Sequence, residues 1–481
     1  MRNIEKWPGD QRGPNTATPK ATHRRDQSQP LLRSRPRRHP TSANGRTRTL
    51  EHPHAKATLS QTGTYNFEGG WSMTTTENPI NYPFEGAGPD DYVALVPSSV
   101  RDGLADDEPL VRVRLAYGGE AWVARRYEDV KVVLADLRFS RSAAIGKDVP
   151  RSDPWIREDH SILDMDPPDH TRLRKLVLKA FTTRRVEMLR PRAQQIVDTL
   201  LDEMIAKGAP GDLMEGLSWP LPMTVNCEML GVPYEDRAKL REWTDASVAL
   251  TALTPEEARA GLQSLYDYMS ALLEKRRDDP RDDLLTAMMQ AREDNDRLEH
   301  DEIVQLAVML LITGHESTSY QFGNVIFNLL THPDELAKLR ANPDLVNNAV
   351  EELLRFTPLA SSDGFIRIAK EDIELGNTTI RAGEGVFVDL DAANRDPRRF
   401  DDPLELRIDR ESARHISFGH GVHHCLGAQL ARMEFQVELS TLIRRFPDLA
   451  LAVDPKDLPW RHGRLVRGLN ELPVTWSEVC E

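Results

Sequence analysis

Residues 302–330 run through Ile, Val, Leu, Met and Phe with few charges, except for a polar island, TGHESTS at 313–319, in the middle. As a helix this stretch would extend about 43 Å at about 1.5 Å per residue. Burying Glu316 beside two hydroxyls without purpose would be costly, so either the helix borders a wet cavity or these groups do chemistry. A solvated break between two shorter helices is the alternative. Glycine with Ser and Thr at mid-helix also predicts a local distortion, opening room for a small ligand and ordered water. The longest nearly unbroken apolar run, 303–312, is far short of the roughly 20 residues that span a bilayer, so no membrane segment is expected.

Helical periodicity recurs at 185–207, 256–277, 301–331, 344–356 and 427–445, between Pro and Gly punctuation. Strand-like stretches are few: 111–115, 121–124, 365–368 and 386–390, with turns at Gly376-Asn377 and Ala382-Gly383. A mainly helical body of about 400 residues with a small β component is large for one core, and a cofactor filling its centre would explain the size. The first 72 residues stand apart. They hold 13 Lys plus Arg against 5 Asp plus Glu, whereas the chain holds 62 against 76, leaving 49 against 71 for residues 73–481. Rich in Pro, Thr, Ser, Gln and Arg and poor in apolar periodicity, residues 1–72 read as a disordered basic extension. A misplaced start ahead of Met73 explains them most simply; an organellar transit peptide and an export signal at Arg24-Arg25 are the alternatives. The acidic body argues against binding nucleic acid or anionic lipid nonspecifically.

Cys227, Cys425 and Cys480 are too few and scattered for a disulfide framework, which predicts a reducing, cytoplasmic setting. The informative one lies in FGHGVHHCLG, 418–427, just ahead of an amphipathic segment in which Ala431, Phe435, Leu439 and Leu442 recur at helical spacing. A helix start offers unpaired N–H groups and partial positive charge, so Cys425 is expected to have a lowered pKa. Gly419, Gly421 and Gly427 would let the backbone approach a planar ligand. A buried inert cysteine in a glycine-rich turn is the plainer alternative. Zinc held by His420, His423, His424 and Cys425 is disfavoured, because adjacent ligands seldom converge on one tetrahedral ion.

FGHGVHHCLG resembles the haem-binding loop F-x-x-G-x-H-x-C-x-G of the cytochrome P-450 family. EELLR supplies an E-x-x-R pair, Glu352 and Arg355; TGHEST looks like the oxygen-activating segment; DPPDHTRLR, 166–174, is similar to the haem-contacting helix. All four occur in the family's order, across 80–452. The resemblance implies a mainly α fold with small β-sheets, enclosing haem b between two long helices, its iron held by Cys425. It implies propionate contacts from His170, Arg174, Arg367 and His423, and a structural ion-pair network of Glu352, Arg355 and Arg410. His170 and Arg174, at i and i+4, also share a helix face, and Pro167 and Pro168 suit that helix's first turn. Glu316, Ser317 and Thr318 would form the catalytic set. Ser317 stands where the family commonly has Thr, keeping a hydroxyl but losing the methyl that restrains it.

The resemblance also implies a monooxygenase acting on a hydrophobic small molecule with O2, in secondary-metabolite biosynthesis. Electrons would come from a ferredoxin and its reductase, and Arg172, Lys175 and Lys179 are candidates for the docking patch. Oxidative C–C or C–N coupling by the same haem is the alternative reaction. A haem sensor without turnover is a third, disfavoured because Glu316 and Ser317 would then have no role. Substrate contacts are expected from 139–163 and 359–365, with Ser361 and Asp363 as polar candidates.

Overall fold

The computed structural model describes residues 109–480 except 152–155, 158–160, 179–180, 248–252, 294–295, 361–363, 412–413, 462–463 and 465, together with five upstream strands at 48–52, 55–59, 64–67, 72–74 and 80–82. Strands Leu110–Leu115 and Glu120–Ala124 form an antiparallel hairpin with Val111 opposite Val123 and Val113 opposite Ala121. Alternation in LVRVRL turns the two valines inward and Arg112 and Arg114 outward, as a half-buried strand requires. Strand Gly385–Val388 joins this hairpin in parallel, with Arg367–Ala369 and Phe139–Ser140 beyond it and Ile80–Tyr82 at the opposite edge, giving six strands.

The helical body carries the larger core. Its axis is the 31-residue helix His300–Leu330, opened by a capping box between Glu299 and Glu302. Helices Pro220–Leu230 and Pro255–Asp278 pack against it, and helix Ala428–Arg445 packs on Thr183–Lys207. Phe322 of the central helix stacks on Phe435 of Ala428–Arg445 at 5.8 Å between ring centroids, which ties the two helices carrying the polar island and the cysteine to one packing unit. No helix among the described residues is long and apolar enough to cross a membrane.

The central helix runs through the polar island as the one element expected, so it is the alternative of a solvated break between two helices that fails. The hydroxyls of Thr313, Ser317 and Ser319 each donate to the carbonyl four residues earlier, at 2.6, 2.7 and 2.8 Å, so these three hydroxyls are satisfied within the helix. Two local expectations differ from the structure. Leu390 starts a short helix instead of ending a strand, because the Asp389 side chain caps it through the N–H of Ala392. Over residues 48–74, part of the stretch read as unstructured, four strands form an antiparallel sheet of their own; Thr, Leu, Tyr and Phe supply β-type residues there, and Met73 lies within the last strand.

Candidate active site

The central helix and the 418–427 loop face each other across a cavity of about 390 Å³. Cys425, Leu426 and Gly427 line one wall, and Thr313, Gly314, Ser317 and Thr318 the other. Backbone fixes the loop. Gly419 and Gly421 hold φ of 71° and 69°, and a Cβ at Gly421 would collide with the carbonyl of Leu134. The Cys425 N–H donates to the Phe418 carbonyl at 2.9 Å. Asn394 clamps the approach, accepting from the Ile416 N–H and donating to Ser417 Oγ, each at 2.8 Å; Ser417 in turn donates to the Leu354 carbonyl.

Protein surrounds the Cys425 thiol, whose surface opens into the cavity. Burial pushes its pKa up, against the Gly427 N–H and the guanidinium groups of Arg174 and Arg432. This corrects the expectation of a helix start that lowers it: the N–H contribution is present, but desolvation outweighs it. Thiolate here would need a bound metal to stabilise it. Cys227 is buried and pushed to about 12 by desolvation, and so is inert.

Cations gather on the cysteine side. The rings of His170 and His423 lie 4.3 Å apart, and Arg174 donates to the His424 carbonyl at 2.5 Å. Burial, with Arg141, His170, Arg367 and Arg174, drives the His423 pKa to about 2; burial with Arg174 and Arg141 takes His170 to about 4. Arg141, which no motif singles out, lines the cavity and donates to the Leu163 carbonyl at 2.8 Å. Arg367 is buried on its strand and donates to the Phe365 carbonyl. Positive charge that depresses two imidazoles calls for an anionic ligand. A sulfur on one wall, apolar lining and a cationic edge fit a flat iron porphyrin with two carboxylates.

Behind this wall, Glu352 accepts from Arg355 at 2.7 and 2.8 Å and from Arg410 at 3.0 and 3.1 Å, with the Arg407 N–H at 3.1 Å. The side chains of Glu352 and Arg355 are fully buried. Arg355 also donates to the carbonyls of Asn394, Pro403 and Glu405, so the network braces the segment that clamps the cysteine loop.

On the helix wall, Ser317 and Thr318 line the cavity, and Glu316 does not. Its carboxylate accepts from Arg461 at 3.0 Å, both groups being buried. Burial raises the Glu316 pKa to about 7, with Arg461 pulling it down. The expected catalytic trio is therefore divided: two hydroxyls face the cavity and the acid turns away. Arg461 comes from a loop without periodicity, and its sequence context carried no signal for the contact. Arg172 bonds Glu302 of the central helix, which takes one cation of the expected docking patch into an internal pair. Ser361, Asp363 and Lys179 lie outside the described residues.

A sequence profile of the cytochrome P450 family matches residues 108–461. The chain is 49% identical over 405 residues to nocardicin C N-oxygenase of Nocardia uniformis subsp. tsuyamanensis, covering 84% of this chain and all of that one. It resembles the solved LnmA cytochrome P450 hydroxylase from the leinamycin biosynthetic pathway of Streptomyces atroolivaceus S-140, with 46% identity, a TM-score of 0.77 and coverage of 82% of this chain and 100% of that one. It also resembles cytochrome P450mel 107F1, described as having biaryl coupling reactivity, with 43% identity, a TM-score of 0.77 and coverage of 83% and 100%. The loop that presents Cys425, the cationic edge around it and the length of these matches agree: the chain belongs to the cytochrome P450 family of haem-iron oxidoreductases.

Proposed function

We propose that this protein is a cytoplasmic haem b monooxygenase acting on an apolar small molecule in secondary metabolism, with electrons from a separate ferredoxin and its reductase. One oxygen atom of O2 enters the substrate and the other leaves as water, consuming two electrons and two protons. Haem, when bound, supplies the redox chemistry that activates dioxygen. The observation carrying the reading is a single cavity with Cys425 on one wall and the Ser317 and Thr318 hydroxyls on the other.

Cys425 would hold the iron, with the Gly427 N–H moderating the sulfur. His170, His423, Arg141, Arg174 and Arg367 would hold the carboxylates at the edge. Among the described residues Thr318 Oγ1 has no hydrogen-bond partner, so it can hold and hand on a proton within the cavity. Glu316 serves as a proton reserve one layer behind, governed by Arg461. Leu310, Leu359 and Val466 keep the remaining lining apolar, which suits a substrate held mainly by burial.

Oxidative coupling is the second reading. It is supported by the resemblance to cytochrome P450mel 107F1, described as having biaryl coupling reactivity. Substrate-dependent NADPH consumption with a surrogate ferredoxin system, read with product mass, tests both. Gain of one oxygen atom supports the first, and loss of two hydrogens per bond formed supports the second. No substrate-dependent consumption with any candidate natural product would sink both.

A further inference from the structure

The cavity's polar groups divide by chemistry as well as by place. Donors cluster around the cysteine loop. On the central-helix side, polar side chains have their protons engaged elsewhere. Thr313 donates its hydroxyl proton to the Met309 carbonyl at 2.6 Å, and Ser317 donates its own to the Thr313 carbonyl at 2.7 Å. Both partners are carbonyl oxygens, which only accept, so each hydroxyl turns lone pairs to the cavity.

Two amides behave alike. Asn226 of helix Pro220–Leu230 anchors its nitrogen on the Pro222 carbonyl at 2.9 Å, which fixes the orientation of the amide. Its oxygen and nitrogen sit 2.8 and 2.9 Å from where a Cβ would stand on Gly314, so the missing side chain admits the amide to the groove of the helix. Gln321 anchors its nitrogen on the Thr357 carbonyl at 2.8 Å, leaving its own oxygen buried without a partner among the described residues. All four residues line the cavity. Each oxygen can accept, whereas the donors left on this side are the Thr318 hydroxyl and the second N–H of each amide. A buried acceptor left without a donor is unfavourable, and bound substrate or water must relieve it.

We infer that the substrate is an apolar molecule carrying a hydroxyl or N–H donor, which it directs at Thr313 Oγ1 and Asn226 Oδ1. The inference rests on the monooxygenase reading and names the substrate class for that same site. A ligand with only acceptors can use the few donors here but leaves the oxygens of Thr313 and Asn226 unmatched, whereas a donor of equal shape gains a hydrogen bond to them.

The test uses holoenzyme and alcohol/ketone pairs matched in shape at three sizes: cyclohexanol and cyclohexanone, 2-adamantanol and 2-adamantanone, testosterone and androstenedione. Isothermal titration calorimetry reads binding without turnover. The alcohol of at least one pair should bind about tenfold more tightly than its ketone. Thr313→Val and Asn226→Leu should each shrink the preference, and the double variant should abolish it. The inference is overturned if no alcohol outbinds its ketone, whether through equal affinity or absence of binding, or if the double variant keeps the preference. The reduced carbon monoxide spectrum of the same preparation separates the two levels. Loss of the thiolate band would count against the haem-thiolate reading, whereas an intact band without preference defeats only the substrate class.

Discussion

The two walls of the cavity are held in opposite ways. The cysteine wall is fixed by backbone contacts, by Asn394 and by the Glu352–Arg355–Arg410 network, and its edge is cationic. The helix wall is neutral where it meets the cavity, the hydroxyls of Thr313 and Ser317 bonded within their own helix, and one buried ion pair, Glu316–Arg461, stands behind it. A wall braced from several chain segments suits a ligand that stays, since removing any brace leaves buried groups unmatched. A wall with open acceptors suits ligands that come and go, since whatever enters, substrate or water, can supply the donor and leave again.

Breaking the first wall should have the largest effects. Cys425→Ala should abolish the long-wavelength Soret band of the reduced carbon monoxide complex, and Cys227→Ala should leave it intact. Arg355→Ala leaves the fully buried Glu352 with Arg410 and the Arg407 N–H alone and should cost roughly 3–5 kcal/mol in denaturant unfolding, with loss of haem content measured on the purified protein. If haem content survives, the bracing role assigned to the network is wrong.

The second wall should respond through protons more than through folding. A carboxyl raised from 4.5 to about 7 keeps its proton in the folded chain while the unfolded chain has lost its own. Stability from Glu316 therefore falls as pH rises from about 4.5 to about 7 and changes no further above that. Glu316→Gln should flatten this slope in denaturation midpoints taken across the window. Arg461→Met should move the inflection upward, because the guanidinium is what pulls the acid down. The smallest effect is expected at Ser317. Ser317→Thr should raise product formed per NADPH oxidised modestly, since the added methyl limits rotamers, and Ser317→Ala should divert electrons to peroxide. Unchanged coupling in both would remove Ser317 from the proton path.

The same contrast governs what could be read from the sequence. Groups that act through local spacing were legible: His170 and Arg174 one turn apart, Glu352 and Arg355 in one helix, and Cys425 ahead of its helix. The central helix, expected at 301–331, spans His300–Leu330, and 185–207 is Thr183–Lys207. What escaped were partners brought from afar. Arg461, Arg141 and Asn226 reach the cavity or its backing from segments whose own periodicity carries no trace of the contact. Helices Pro220–Leu230 and Arg237–Ser247 were missed as well; the first is buried nearly all round, so it offers no amphipathic stripe. The raised thiol pKa escaped because the local helix start argues one way and the enclosure, a property of the whole fold, argues the other.

Gly421 rests its backbone against the carbonyl of Leu134, the two being drawn from opposite ends of the family domain. During synthesis, helix Tyr127–Ala135 leaves the ribosome long before its counterpart exists. The seat for the cofactor then closes only once the chain beyond residue 427 has emerged, so haem capture is a late event in the life of each molecule. Until then the central helix has no thiol facing it across the cavity.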